Sequence, residues 1–253
     1  MIDALYISTT GLRSQQAQID VISNNVANIQ TPGFKKSRVN FAEIAGTAMD
    51  ATGAQDQFKG DGSRVLSTLP IFSEGDLNQT GNKTDLAING NGFFELENAQ
   101  GDKVYTRAGQ FRTDNDGTLV SVNGMALSQK IQIPPDAQNL TISTNGQISA
   151  LLGTDTSPTT IATLELATFP APDSLQTGDD NTYSPTEASG AASLGKPGDV
   201  GFGTLQQGTL EMANVDLIEE MSNLIVAQRA YQLNARVLQA SDQILETINN
   251  LRR

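Results

Sequence analysis

Residues 2–34 read IDALYISTTGLRSQQAQIDVISNNVANIQTPGF. Leu5, Leu12, Ile19 and Val26 recur every seven residues along this stretch, and Ile22 and Ile29 each fall three places after the last two. Such a stripe belongs to a helix that packs along another helix. Gln15, Gln16, Gln18 and Asp20 fill the other faces. Thr31-Pro32-Gly33 ends it, because proline drives the preceding residue out of the helical region. The spacing predicts a helix over residues 2–29, interrupted by Gly11 at a cost of about 1 kcal/mol relative to alanine.

The same periodicity returns at the other end of the chain. Leu217, Ile218, Met221, Leu224, Ile225, Tyr231, Val237, Leu238, Ile244, Leu245, Ile248 and Leu251 keep spacings of three, four and seven, and Asn214 or Asp216 is placed to cap the helix. Roughly 35 residues at about 1.5 Å each make a rod of some 50 Å. The terminal Arg252-Arg253 suits the negative end of its dipole. Two such stripes predict mutual pairing plus pairing with neighbouring copies. A terminal hairpin packed on its own domain is the plain alternative, and periodicity does not choose between them.

Between the helices the sequence reads as β structure rich in turns. Phe111 to Val120 and Leu140 to Ile148 carry apolar alternation around Asp116-Gly117 and Asn145-Gly146, the signals of hairpins. Ile88 to Leu96 reads as a turn feeding a strand, and Ile161 to Phe169 as one further strand. Residues 170–203 read as surface loops holding Tyr183 and little else to bury. Residues 46–64 read as a polar connector that is mobile unless a neighbour orders it. The expected fold class is α+β, with long terminal helices pairing as a coiled coil and a β-rich central domain. The linear division is 1–45, an N-terminal helix and arm; 46–74, a connector; 75–207, the β-rich domain; and 208–253, the C-terminal helix.

Composition removes most familiar chemistries. The 253 residues hold no cysteine, histidine or tryptophan, so thiolate nucleophiles, imidazole bases and His/Cys zinc sites are absent. Lys+Arg 16 against Asp+Glu 28 gives a net charge of −12, which repels nucleic-acid backbones and anionic lipid. The helical ends are near neutral, and the negative charge lies mainly in between. No apolar run approaches the length of a membrane span, so no membrane insertion is expected, and the N-terminus lacks the pattern of a cleaved secretory signal.

The remaining motifs favour structural readings. Aligning Gly117 with the sixth position of a calcium loop places Arg112 and Asn123 where ligands are needed, so Thr113 to Gly117 reads as a hairpin turn and no metal site is assigned. Asn89-Gly90-Asn91-Gly92 lacks a phosphate-binding register and leads into a strand. Glu95 with Glu97, Asp179 with Asp180, and Glu219 with Glu220 could in principle serve as a glycosidase pair, which needs no histidine. Each also reads as a solvated face. No catalytic residue and no cofactor is assigned, and the chain is read as a non-enzyme.

Asn24, Asn25 and Asn28 precede Thr31-Pro32-Gly33-Phe34, and Gln228-Arg229-Ala230-Tyr231 interrupts the C-terminal apolar stripe. Taken with Thr10-Gly11-Leu12, Asp20 to Lys35, Gly208 to Glu211 and Asn214 to Leu217, these residues resemble the bacterial flagellar axial family of rod and hook proteins. Gly75-Asp76-Leu77, Thr84 to Ile88, Gly92-Phe93-Phe94 and Tyr105 to Phe111 resemble that family's β-domain motifs, so the likeness spans nearly the whole chain. The resemblance implies terminal helices in an inner coiled-coil layer around an export channel and a β-rich domain outside it. It also implies export through the flagellar type III apparatus without a cleaved signal, and polymerisation into a helical tubular shaft that transmits torque in the periplasm-spanning basal body. Implied partners are further copies of the chain, neighbouring rod and hook proteins, ring bushing proteins and the export apparatus.

The opening residues and the length look most like a distal-rod member, with a proximal-rod member as the alternative. Residues 42–74 are shorter than the corresponding distal-rod segment usually is. A secreted carbohydrate-active or surface-binding protein is the alternative from another class. The expected assembly interface is Leu5, Leu12, Ile19, Ile22, Val26 and Ile29 with Leu217, Met221, Leu224, Tyr231, Leu238 and Leu245.

Overall fold

The computed structural model describes residues 2–46, 59–98, 100–152 and 158–251. A helix stands at each end of the chain with β structure between them, as the α+β reading expects. Helix α1 spans Ile2–Ala27 and helix α2 spans Leu217–Leu251. α1 stops two residues short of the expected end, because the Thr31 N–H turns back to the Asn28 carbonyl at 3.0 Å. Ile29 therefore sits in a turn and leaves the helical stripe. α2 is capped by Asp216, whose Oδ1 accepts the N–H groups of Ile218 (2.8 Å) and Glu219 (3.2 Å).

Residue contacts group the chain into two compact units. The first holds residues up to 27, 37–69 and those from 216 onward. It consists of α1, α2 and a two-stranded ribbon of β1 (Ser37–Gly46) and β2 (Lys59–Pro70). α1 packs along α2, and β1 lies against α1. Part of the expected connector, residues 47–58, falls outside the described residues. From residue 59 the expectation of a loose connector is corrected: ladder bonding to β1 makes this segment a strand.

The second unit holds residues 28–36 and 70–215. After β3 (Leu77–Gln79) and β4 (Leu86–Asn89) come β5 (Phe94–Glu97) and β6 (Lys103–Thr106). A seven-stranded antiparallel sheet runs in the order Gln176–Thr177, Thr182–Ser184, β6, β5, Ala126–Leu127, Leu119–Ser121 and Phe111–Thr113. Strands Thr204–Gln207 and Thr209–Glu211 return from the far end of the sequence to pair antiparallel with β4 and β3. Both expected hairpins are present, with Gly117 and Gly146 at φ of 79° and 83°, a region that favours glycine. Leu86, Ile88, Phe94, Leu96, Leu119 and Ile148 anchor the larger core.

Two local expectations differ from the fold. Ile161 to Phe169 is not one strand but two, Thr159–Thr163 and Leu166–Thr168, which join different sheets. The break comes where Leu164 turns its N–H to the Gly146 carbonyl and its side chain into the core. The segment 170–203 supplies two strands of the seven-stranded sheet and buries Leu175 and Tyr183. These two side chains join Phe93, Tyr105 and Phe169 in a second, aromatic core, which short alternation could not reveal.

Candidate functional site

In the helical unit the sequence places small and polar residues where its elements approach most closely. A Cβ at Gly11 would stand 2.9 Å from the Asn234 amide nitrogen of α2. The helix thus accepts the propensity cost of glycine in exchange for close approach. The neighbouring Thr10 faces Gly62 of β2, where φ is +116° and any side chain would meet the threonine hydroxyl. Ser14 Oγ donates to the Ser63 carbonyl at 3.3 Å. Asn25, 2% exposed, donates to the Ser37 carbonyl (3.0 Å) and accepts its N–H (2.9 Å), so its amide replaces a missing backbone partner at the start of β1.

The expected apolar contacts divide by face. Ile22 is buried, and Leu5, Leu12, Ile19 and Val26 are half-buried on α1. On α2, Glu220, Leu224, Ala227, Asn234, Leu238, Ser241 and Leu245 form the covered stripe, spaced by three, four or seven. Leu217 and Met221 instead lie exposed, and Tyr231 is at the margin. With Ile218, Ile225, Val226, Leu233, Val237, Ile244 and Ile248, they leave α2 apolar well beyond the stripe that α1 covers. Gln228 and Arg229 are exposed and Ala230 is half-buried; Asn24 is exposed.

In the β unit the motif residues converge on a buried ion cluster. Glu211 Oε1 accepts Lys35 Nζ at 2.5 Å and the Gly75 N–H at 3.1 Å, and its Oε2 accepts Arg107 Nη1 at 3.3 Å. All three side chains are almost wholly buried. Lys35 also donates to the Ser73 carbonyl at 2.6 Å, and Arg107 Nη2 to the Gly90 carbonyl at 2.9 Å. The Glu211 carbonyl accepts the Gly33 N–H at 2.7 Å. Burial pushes the Lys35 ammonium and the Arg107 guanidinium below their usual pKa values, and the Glu211 charge opposes both shifts.

The turn that delivers Lys35 is tightly held. Gly33 has φ +69°, and a Cβ there would stand 2.4 Å from the Ala108 nitrogen. Thr31 Oγ1 donates to Asn28 Oδ1 (3.2 Å), the Pro32 carbonyl accepts from Asn181 (3.1 Å), and the Phe34 N–H bonds back to Thr31 at 3.3 Å. Asn214, the unused candidate cap, accepts the Lys36 N–H at 2.7 Å and donates to the Ile71 carbonyl at 2.8 Å. Thr31-Pro32-Gly33-Phe34-Lys35, Tyr105-Thr106-Arg107-Ala108-Gly109 and Gly208-Thr209-Leu210-Glu211 are therefore parts of one constellation. Lys35, Arg107 and Glu211 were absent from the expected site. Their signal is that each motif carries a charge within otherwise apolar or turn-forming sequence, with the signs complementary.

Of the candidate carboxylates, Glu95 and Glu97 are each engaged by a lysine. Glu95 is pushed up by burial, but hydrogen bonds from Lys103, Ser128 and Tyr105 and the Lys103 charge outweigh this and leave its pKa below the usual value. That is the opposite of a general acid's requirement. Glu97 pairs with Lys130 at 3.2 Å. Among the described residues no helix is long and apolar enough to cross a membrane.

Residues 5–35 match the flagella basal body rod protein family, residues 87–150 the flagellar hook protein FlgE/F/G D1 domain, and residues 206–251 the flagellar basal body rod FlgEFG protein C-terminal region. The chain is 40% identical to the flagellar basal-body rod protein FlgG of Buchnera aphidicola subsp. Schizaphis graminum, across 99% of this chain and 100% of that one. It is 36% identical to FlgG of Caulobacter vibrioides, with 99% and 100% covered. Identity to the flagellar hook-basal body complex protein FlhP of Bacillus subtilis is 28%, with both chains covered in full. The chain belongs to the flagellar basal-body rod and hook family of structural proteins. Within that family it is a structural subunit of the basal-body rod.

Proposed function

We propose that this subunit polymerises helically with further copies of itself, as a distal-rod protein, into a tubular shaft that carries torque from the motor to the hook. Residues 1–45 and 208–253 supply its coiled-coil layer around an export channel. Neighbouring rod and hook proteins meet it at the ends of the shaft, ring bushing proteins surround it in the periplasm, and the type III apparatus delivers it.

The observation that carries this reading is the apolar surface left on α2 after α1 has packed. Ile218, Val226 and Leu233 are 79%, 66% and 60% exposed, and the band continues through Val237 and Ile244. Burying an aliphatic side chain contributes about 1.5–3 kcal/mol, so a few such residues covered by neighbours suffice for stable assembly. Leu217, Met221 and Tyr231 of the expected interface belong to this exposed surface, whereas Leu224, Leu238 and Leu245 lie in the covered stripe. Ile22 is only 5% exposed within one chain, so it lies outside the surface offered to neighbours.

Leu233→Glu with Val237→Glu tests the reading. The double variant should keep the melting temperature and far-UV circular dichroism of the monomer while losing rods in electron micrographs of basal bodies. Rods of normal length built from it would refute the proposed surface.

A further inference from the structure

A cleft of about 360 Å³ lies in the β unit, between the aromatic core and the buried ion cluster. Phe72, Phe93 and Phe169 form aromatic walls, Asn91 and Thr168 contribute polar groups, and Arg107 completes the lining. The rings are locked by edge-to-face packing: Phe72 on Phe93 at 5.1 Å and Phe93 on Phe169 at 5.8 Å between centroids. Walls held this way are preformed and lose little entropy when a ligand enters.

Arg107 is the one charged side chain among the residues that line the cleft. The Arg107 guanidinium carbon stands 5.3 Å from the Phe93 ring centroid. Its Nη1 and Nη2 are engaged by Glu211 and Gly90, but its Nε is buried with no acceptor among the described residues. Glu211 is the carboxylate bonded to both Lys35 and Arg107, one anion between two buried cations. Glu74 adds only a longer-range attraction from an exposed position. Aromatic walls with the Arg107 guanidinium in their lining match a carboxylate borne beside an apolar ring.

We propose that this cleft receives an acidic segment of a neighbouring axial subunit, an aromatic side chain packing against the wall formed by Phe93 and Phe169 and an adjacent carboxylate accepting from Arg107. The ligand chemistry follows from the cleft; the source in a neighbouring subunit rests on the rod reading, in which each chain is surrounded by others. Even a weak contact of this kind counts in a polymer, because other contacts already hold the partners together.

The experiment titrates the full-length monomer with acetyl-Phe-Asp-amide, acetyl-Phe-Asn-amide and 3-phenylpropanoate, read by NMR chemical shifts. Expected is saturable binding of the aspartyl peptide with a dissociation constant of about 1 mM or tighter. Shifts should centre on Phe93, Phe169 and Arg107, and the asparaginyl peptide should bind at least about tenfold more weakly because it loses the charge-assisted bond. Asn91→Glu sets a like charge at the exposed rim without touching the core, and should weaken the aspartyl peptide by a similar factor at unchanged melting temperature. No saturation, equal binding of the two peptides, or shifts centred elsewhere would overturn the site. Tighter binding of 3-phenylpropanoate than of the peptide would overturn the peptide occupant. Rod assembly is scored separately by microscopy, so peptide binding by a chain that builds no rod would refute the rod reading and leave the cleft's chemistry standing.

Discussion

Replacing Glu211 by glutamine removes the carboxylate that Lys35 and Arg107 share while keeping shape and an oxygen for the Gly75 N–H. Both cations are nearly sealed from water, with side-chain exposures of 0% and 3%. Breaking a buried ion pair from one side costs about 3–5 kcal/mol, since the remaining charge has no compensation. For a chain of this size each 1 kcal/mol lowers the melting temperature by about 2–4 °C, so the loss should be about 6–20 °C.

Near-UV circular dichroism suits the assay, because Tyr105 and Tyr183 are packed in the β unit whereas Tyr6 and Tyr231 are exposed. A pH series adds a second readout. Lys35 has a folded pKa below its ordinary 10.5, so the unfolded chain binds more protons just below that pH and stability rises toward it. Removing Glu211 deletes the two strongest influences that hold the Lys35 pKa up, so the rise should begin at lower pH and be larger in the variant. Adding Lys35→Met should recover part of the loss, one buried cation having been removed. A Glu211→Gln protein within about 1 kcal/mol of the parent, or with an unchanged pH slope, would refute the argument that the cluster is an electrostatic clasp.

Further outcomes follow from the same geometry. Gly33→Ala should destabilise the β unit by about 3 kcal/mol or more in denaturant unfolding, from the left-handed φ together with the backbone clash at Ala108. Asn25→Ala should cost about 2–3 kcal/mol in the same assay, because it strands the N–H and C=O of Ser37. Gly11→Leu should loosen the helix pair, seen as faster amide exchange in α1, whereas Gly11→Ala combined with Asn234→Ala should be neutral or stabilising by up to about 1 kcal/mol. Burial pushes the Tyr105 phenol to about 12 and Tyr183 upward as well, so both should resist ionisation in an alkaline absorbance titration. Because those folded values are raised, the stability they contribute is complete below pH 10 and should fall as pH climbs through the folded values.

The helices were legible because their periodicity is long, and the hairpins because Asp116-Gly117 and Asn145-Gly146 need particular backbone angles. Register along the helix pair was legible too, but not which apolar residues one partner covers. Leu224 and Leu245 are half-buried while Met221 and Ile225 are exposed, a difference decided by the rotation of α2 against α1 and not by hydropathy. The ion cluster was hidden for another reason. Residues 35, 107 and 211 meet only after the strands at 204–211 return to β3 and β4. Tyr183 reads as a lone aromatic in a loop until Thr182–Ser184 pairs with β6.

Cryo-electron microscopy of basal bodies containing this chain tests the central claim most directly. The account predicts density for the chain in the rod between its proximal part and the hook, with Leu233, Val237 and Ile244 of each copy covered by a neighbouring subunit. Their exposure to solvent in the assembled shaft, or the absence of this chain from the shaft, would contradict it.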